Sequence, residues 1–186
     1  MDDVTYDPSS GAASEERPFA VQTFTARYEP IEDRICLNAV DATGAKQAIY
    51  LTRRLMDQII PVVAKHLEEK TPKGVPADVV QSMTQERVRQ ARKAEPAPEP
   101  VQFDLETPRW LCTTISMQKQ PAGLAVTLTG NSACKVHIPL ADPHLRTVLD
   151  IFRNSYAKAG WDLRVFPEWL GSEKATAGQA AQLRLN

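Results

Sequence analysis

The chain is 186 residues long with a mass of 20.6 kDa, a length that fits one domain or two small ones. Hydrophobic residues make up 42% of it, enough for a core, and no apolar run approaches the ~18 residues that a membrane-spanning helix needs. With 22 Lys and Arg against 23 Asp and Glu the formal charge is −1, which excludes a uniformly basic nucleic-acid coat and leaves only local basic patches.

Residues 1–19 hold Asp2, Asp3, Asp7, Glu15 and Glu16 against Arg17, with Ser, Gly and Ala between. Such a segment buries too little to offset its ordering entropy and reads as a disordered acidic tail. It has neither the basic start nor the apolar stretch of a secretory leader, so the expected compartment is the cytosol. From Ala20 the pattern alternates. VQTFTARY puts Phe24, Ala26 and Tyr28 on one face and Thr23, Thr25 and Arg27 on the other, a half-buried strand. RICLNAV alternates again, and QAIYL follows the polar turn at Gly44 as a third strand. The period then changes: Leu55, Met56, Ile59, Ile60, Val63 and Leu67 predict an amphipathic helix from about Thr52. Pro61 inside it predicts a kink or a fresh helix start.

Residues 71–108 predict a second helix and a Pro-rich linker. Pro76 and Asp78 stand at the start of that helix, and Arg87, Arg89, Arg92 and Lys93 near its end, placements that suit the helix dipole. AEPAPEP is a polyproline-type spacer. From Trp110 the first pattern returns. WLCTTISMQ, GLAVTLTG and CKVHIPL read as strands, Asp142 as an N-cap followed by Pro143, and Leu145, Val148, Leu149, Phe152 and Tyr156 as the apolar face of a helix that stops at Gly160. Equal sequence distances separate Ile35, Leu37 and Ala39 from Leu124, Val126 and Leu128, and Leu51 from Leu140. The expected fold is therefore α+β: two similar βββα halves, 20–70 and 109–160, sharing one core as a barrel, a sandwich or a continuous sheet. Residues 161–186 hold an aromatic segment, WDLRVFPEWL, and then a small, polar, flexible tail.

Chemistry is sparse. Cys36, Cys112 and Cys134 are odd in number and widely spaced, which fits buried thiols rather than a metal site or a disulfide framework. His66, His137 and His144 have no second ligand at helical spacing and read as satisfied surface residues. No phosphate-binding glycine loop and no nucleophile motif is present. Two features stand out. Arg53 and Arg54 occupy the first turn of a helix, where the dipole disfavours cations; they would bind an anion there, or pair with Asp57, Glu32 or Asp33. Trp161, Leu163, Phe166, Trp169 and Leu170 would anchor a partner, or fold back over the chain's own sheet.

The order of elements in VQTFTARY, RICLNAV, QAIYL, the helical insert 53–93, LCTTISM, GLAVTLTG, CKVHIPL and the helix from Pro143 resembles the head-domain superfamily of the non-homologous end-joining scaffold and the centriolar cartwheel protein. The likeness spans residues 20–160 and includes no diagnostic motif. It implies a non-catalytic, dimer-forming scaffold. Members of that superfamily continue into a long coiled coil, whereas here the helical pattern breaks at Gly160, so neither the dimerisation mode nor any functional residue carries over.

The function expected from the sequence is a non-catalytic, cofactor-free scaffold, adaptor or accessory subunit. It would bind a protein partner or its own copies through the aromatic segment, with Arg53 and Arg54 recognising an anion. The second reading is a nucleic-acid-associated protein using Arg87, Arg89, Arg92 and Lys93, whose backbone contacts would be strongly salt-dependent. The third is an enzyme without a recognisable motif.

Overall fold

The computed structural model describes residues 19–96, 99–131, 134–171 and 181–184, the last as backbone. The elements are β1 (Phe19–Glu29), β2 (Arg34–Asp41), β3 (Lys46–Leu51), α1 (Arg53–Glu68), α2 (Ala77–Ala94), β4 (Arg109–Gln120), β5 (Gly123–Gly130), β6 (Lys135–Ala141) and α3 (Asp142–Ala159). Two single 3-10 turns (Leu163–Val165 and Glu168–Leu170) and β7 (Ala181–Arg184) complete the order.

The strands run in the order β2-β3-β4-β5-β6-β1, and β1 pairs again with β2, closing a six-stranded barrel-like sheet within a mixed α+β fold. Neighbours within β1-β2-β3 and within β4-β5-β6 are antiparallel, whereas β3–β4 and β6–β1 are parallel. A parallel pair cannot be joined by a tight turn, so the chain from β3 to β4 travels through α1 and α2. Strand residues such as Ile35, Ile49, Leu128 and Val136 join Met56, Ile60, Leu145, Leu149 and Ile151 of the helices in one buried cluster.

The two meanders differ in what covers them. In β6 burial alternates residue by residue, with one face in the core and the other toward solvent. In β1 and β2 both faces are buried: Thr23 and Thr25 are as hidden as Phe24 and Ala26. This corrects the half-buried strand expected for β1. Residues 99–103, beyond α2, cross its second face. The Val101 N–H donates to Thr25 Oγ1 at 3.0 Å, and Asn38 Nδ2 donates to the Val101 carbonyl at 3.3 Å.

Local chemistry sets the helix ends. Thr52 caps α1, its Oγ1 accepting from the Leu55 N–H at 3.3 Å. The helix runs unbroken through the exposed Pro61, so the expected fresh start is absent. Asp142 is not the N-cap of α3; Ala141 is, without a side-chain bond. The Asp142 carboxylate turns instead to the end of α1 and the turn beyond it, where His66 Nε2 lies at 3.3 Å and Lys70 Nζ donates at 2.5 Å. Gly160 ends α3 with φ of 67°, a conformation that costs glycine least.

The aromatic segment packs on its own chain. Trp161, Phe166, Trp169 and Leu170 are buried in the core cluster, and Leu163 is half-buried against it. The Trp161 and Phe166 rings meet Tyr156 edge-on at 4.9 and 5.1 Å. Trp161 Nε1 donates to Asp33 Oδ1 at 3.0 Å and Trp169 Nε1 to Glu68 Oε1 at 2.7 Å. Of the two alternatives that the sequence left, a partner contact or folding back, the segment folds back on its own chain, with both indole rings and both indole N–H groups satisfied internally. A second correction falls in the tail, where residues 181–184 form β7 on the edge of β1. The acidic tail expected at residues 1–19 lies outside the described residues apart from Phe19, which opens β1.

Candidate functional site

Helix α2 departs from the usual rule of amphipathic packing. Of its 18 residues only Gln81 and Gln85 are buried. Gln81, Gln85 and Arg89 fall at successive fourth positions, so one polar row faces the protein. Val79 and Met83 lie on the opposite side and are 54% and 57% exposed; Val75, just before the helix, is 46% exposed. A helix stabilised by ordinary burial would turn the other way.

What holds α2 inward is a polar network. Gln85 Nε2 donates to Asp150 Oδ2 at 2.8 Å and to the Arg146 carbonyl at 3.2 Å. Arg89 grips Asp150 with Nε and NH2, the closest approach being 2.7 Å, and donates to the Leu170 carbonyl at 2.6 Å. Gln81 Nε2 donates to the Leu67 carbonyl at 3.0 Å and to Thr71 Oγ1 at 2.8 Å. The buried Arg146 guanidinium donates to Gln81 Oε1 and sits 5.5 Å from the Trp169 ring centroid. Burial pulls its pKa below the ordinary arginine value, and Asp142 opposes that pull. One atom, Gln85 Oε1, is buried without a partner, which opposes folding by about 1–3 kcal/mol. The network ties α2 to α1, α3 and the second 3-10 turn, and leaves Val79 and Met83 outward while Val80 and Val88 are half-buried.

The basic residues at the end of α2 divide. Arg89 is half-buried on Asp150, and Arg87, Arg92 and Lys93 are exposed, Arg87 in the Val79–Met83 row. Glu86 and Glu95 are exposed among them. Sequence periodicity placed the helix but not its orientation; the one signal was the run of glutamines and Arg89 at fourth-residue spacing.

The remaining candidates are scattered. Arg53 and Arg54 are both exposed at the start of α1, and Arg53 Nε lies 4.0 Å from Asp57 Oδ2, one of the local pairings expected. Asp57 also accepts from Tyr156 OH at 2.9 Å. His66 is a buried residue between helices rather than a surface one. His137 lies 2.9 Å from Thr127 Oγ1, and burial lowers the pKa of His144. All three cysteines are free, and Cys36 and Cys112 are buried. Among the described residues no group of three His, Cys, Asp or Glu gathers as metal ligands, and no helix is long and apolar enough to cross a membrane. A cleft of about 340 Å³ lies between residues 100–103 and the β1–β2 sheet. Its two buried polar side chains, Thr25 and Asn38, already bond Val101. No protein-family model, curated protein or solved structure matches the chain.

Proposed function

We propose that the protein is a non-catalytic binding or assembly subunit whose contact surface is the outward side of α2. The observation that carries this reading is the inverted helix: glutamines inward, Val79 and Met83 outward. Exposed apolar side chains aligned on a held helix gain nothing for the isolated fold, and they supply the desolvated centre that a protein contact needs. Arg87 continues their row and Glu86 stands exposed beside Met83, so the matching surface is apolar with charges of both signs at its rim. The scaffold role implied by the element order of the end-joining and cartwheel head domains belongs to the same reading, with α2 in place of the aromatic segment.

The two-halves organisation is part of the proposal. Both meanders carry a register shift at the same place: Val21 and Thr23 face Asp41 and Val40, while Cys112 and Thr114 face Gly130 and Thr129. Each meander then leads into a helix at the end of its third strand.

The test is capture of partners from native lysate by the full chain and by the Val79→Glu/Met83→Glu variant, with nuclease in parallel. Both sites are exposed, so the variant keeps its melting temperature. The reading requires that a stoichiometric protein partner, or self-association, survives nuclease and is lost in the variant. Capture that the variant retains, or that nuclease abolishes, contradicts it.

A further inference from the structure

Strand β4 has an open edge. On one side it pairs with β5 from Cys112 to Gln120, but on the other it pairs with β3 only at residues 109–111. Beyond Leu111 no strand among the described residues joins that edge. β1 is built the same way: β2 runs along one side, and β6 pairs on the other only at Phe19 and Ala20. There, however, β7 takes over, with Thr23, Phe24, Thr25 and Ala26 opposite Arg184, Leu183, Gln182 and Ala181. The shared register shift aligns residues 23–26 with residues 114–117. The first set reads Thr-Phe-Thr-Ala and the second Thr-Ile-Ser-Met, hydroxyl and apolar in the same alternation. The flanking helices correspond as well: α3, which follows β6, packs on β1 and β7, and α1, which follows β3, packs on β4.

We propose that the free edge of β4 at residues 114–117 accepts an extended segment of another polypeptide as an antiparallel strand, in the manner that β1 accepts β7. The surroundings of the edge agree. Phe24 and Ala26, beside β7, are 2% and 3% exposed, whereas Ile115 and Met117 are only half-buried. Residues 113–118 contain no charge, proline or glycine, the devices by which exposed edges are usually blunted. Main-chain bonds supply affinity at such an edge and alternate side chains supply selectivity. Cross-strand neighbours share a face, so the incoming segment carries apolar residues opposite Ile115 and Met117 and polar ones between, the pattern of Ala181, Gln182, Leu183 and Arg184. A second copy supplying its own β7 would vacate its β1 edge and gain no pairing, which favours a different chain. This inference rests on the strand edge and stands independently of α2.

The probe is a synthetic peptide of residues 179–186, which carries the strand that fits the corresponding edge. It is titrated into the full-length protein while amide hydrogen exchange is followed residue by residue. The inference predicts that alternate amides within residues 113–118 exchange about tenfold more slowly at a free peptide concentration of about ten times Kd. Residues 23–26 stay unchanged, and a peptide with Leu183→Asp gives no protection. Three outcomes would overturn it: no protection at millimolar peptide, slowed or exposed amides at residues 23–26 from exchange with β7, or protection of β4 that tracks protein concentration without peptide.

Discussion

The Cys36 thiol lies in the core with Asn38 Oδ1 as its acceptor at 3.3 Å, and burial pushes its pKa up to about 11. Burial raises Cys112 in the same direction. The thiolate is the reactive form, so both residues are poor nucleophiles at neutral pH. Cys134 is only part-buried. A disulfide-forming reagent added to the native protein at pH 7.5 should therefore modify Cys134 first, and Cys36 and Cys112 only on unfolding; prompt reaction of Cys36 would refute the buried placement. The buried thiols read from number and spacing are found at Cys36 and Cys112 but not at Cys134. The partners of Trp161 and Trp169 were not, because Asp33 and Glu68 lie more than a hundred positions away in sequence and nothing local announces them.

At the scale of elements, the strands, α1 and α3 follow from periodicity, since each turns an apolar face to one core. Periodicity failed where cover comes from elsewhere. β1 and β2 looked half-exposed because the segment that bonds Thr25 and Asn38 arrives from beyond α2. β7 is four residues long, and one apolar-polar alternation of that length is too short to predict a strand without the β1 edge that it pairs with. For α2 periodicity gave the helix but no inward side, because hydrogen bonds from Gln81, Gln85 and Arg89 orient it. Asp150→Ala removes the carboxylate from Arg89 and from the Gln85 amide, leaving them the Leu170 and Arg146 carbonyls, in a site where both members of the ion pair are 13% exposed. The expected loss is about 3 kcal/mol, read as a lower denaturant midpoint. Amide exchange should accelerate along α2 and less in β5 and β6, since the network anchors the helix and not the barrel. An unchanged midpoint with unchanged exchange would show that α2 is held by something else.

For the whole molecule, closure of the sheet removes most strand edges, and the two seams that close in parallel are short. One seam is continued by β7 and the other is left open. The closed sheet thus carries on its outside a helix, α2, that leaves Val79 and Met83 exposed, and an edge of β4 that no strand among the described residues covers. The closed barrel was one of three architectures that the sequence allowed, and closure was not readable there because it depends on pairings between strands far apart in the chain.

Cover of the outward side of α2 by another protein, as proposed, would shield Met83 from solvent. Oxidative footprinting of Met83 tests it most directly, comparing the purified dilute chain with the same chain in its native lysate after nuclease treatment and equalised oxidant exposure. Met83 is 57% exposed and Met56, at 1%, serves as an internal reference. The account predicts that Met83 oxidises readily in the purified chain and is protected several-fold in the lysate, while Met56 stays unreacted in both. Equal oxidation of Met83 in the two settings would contradict it.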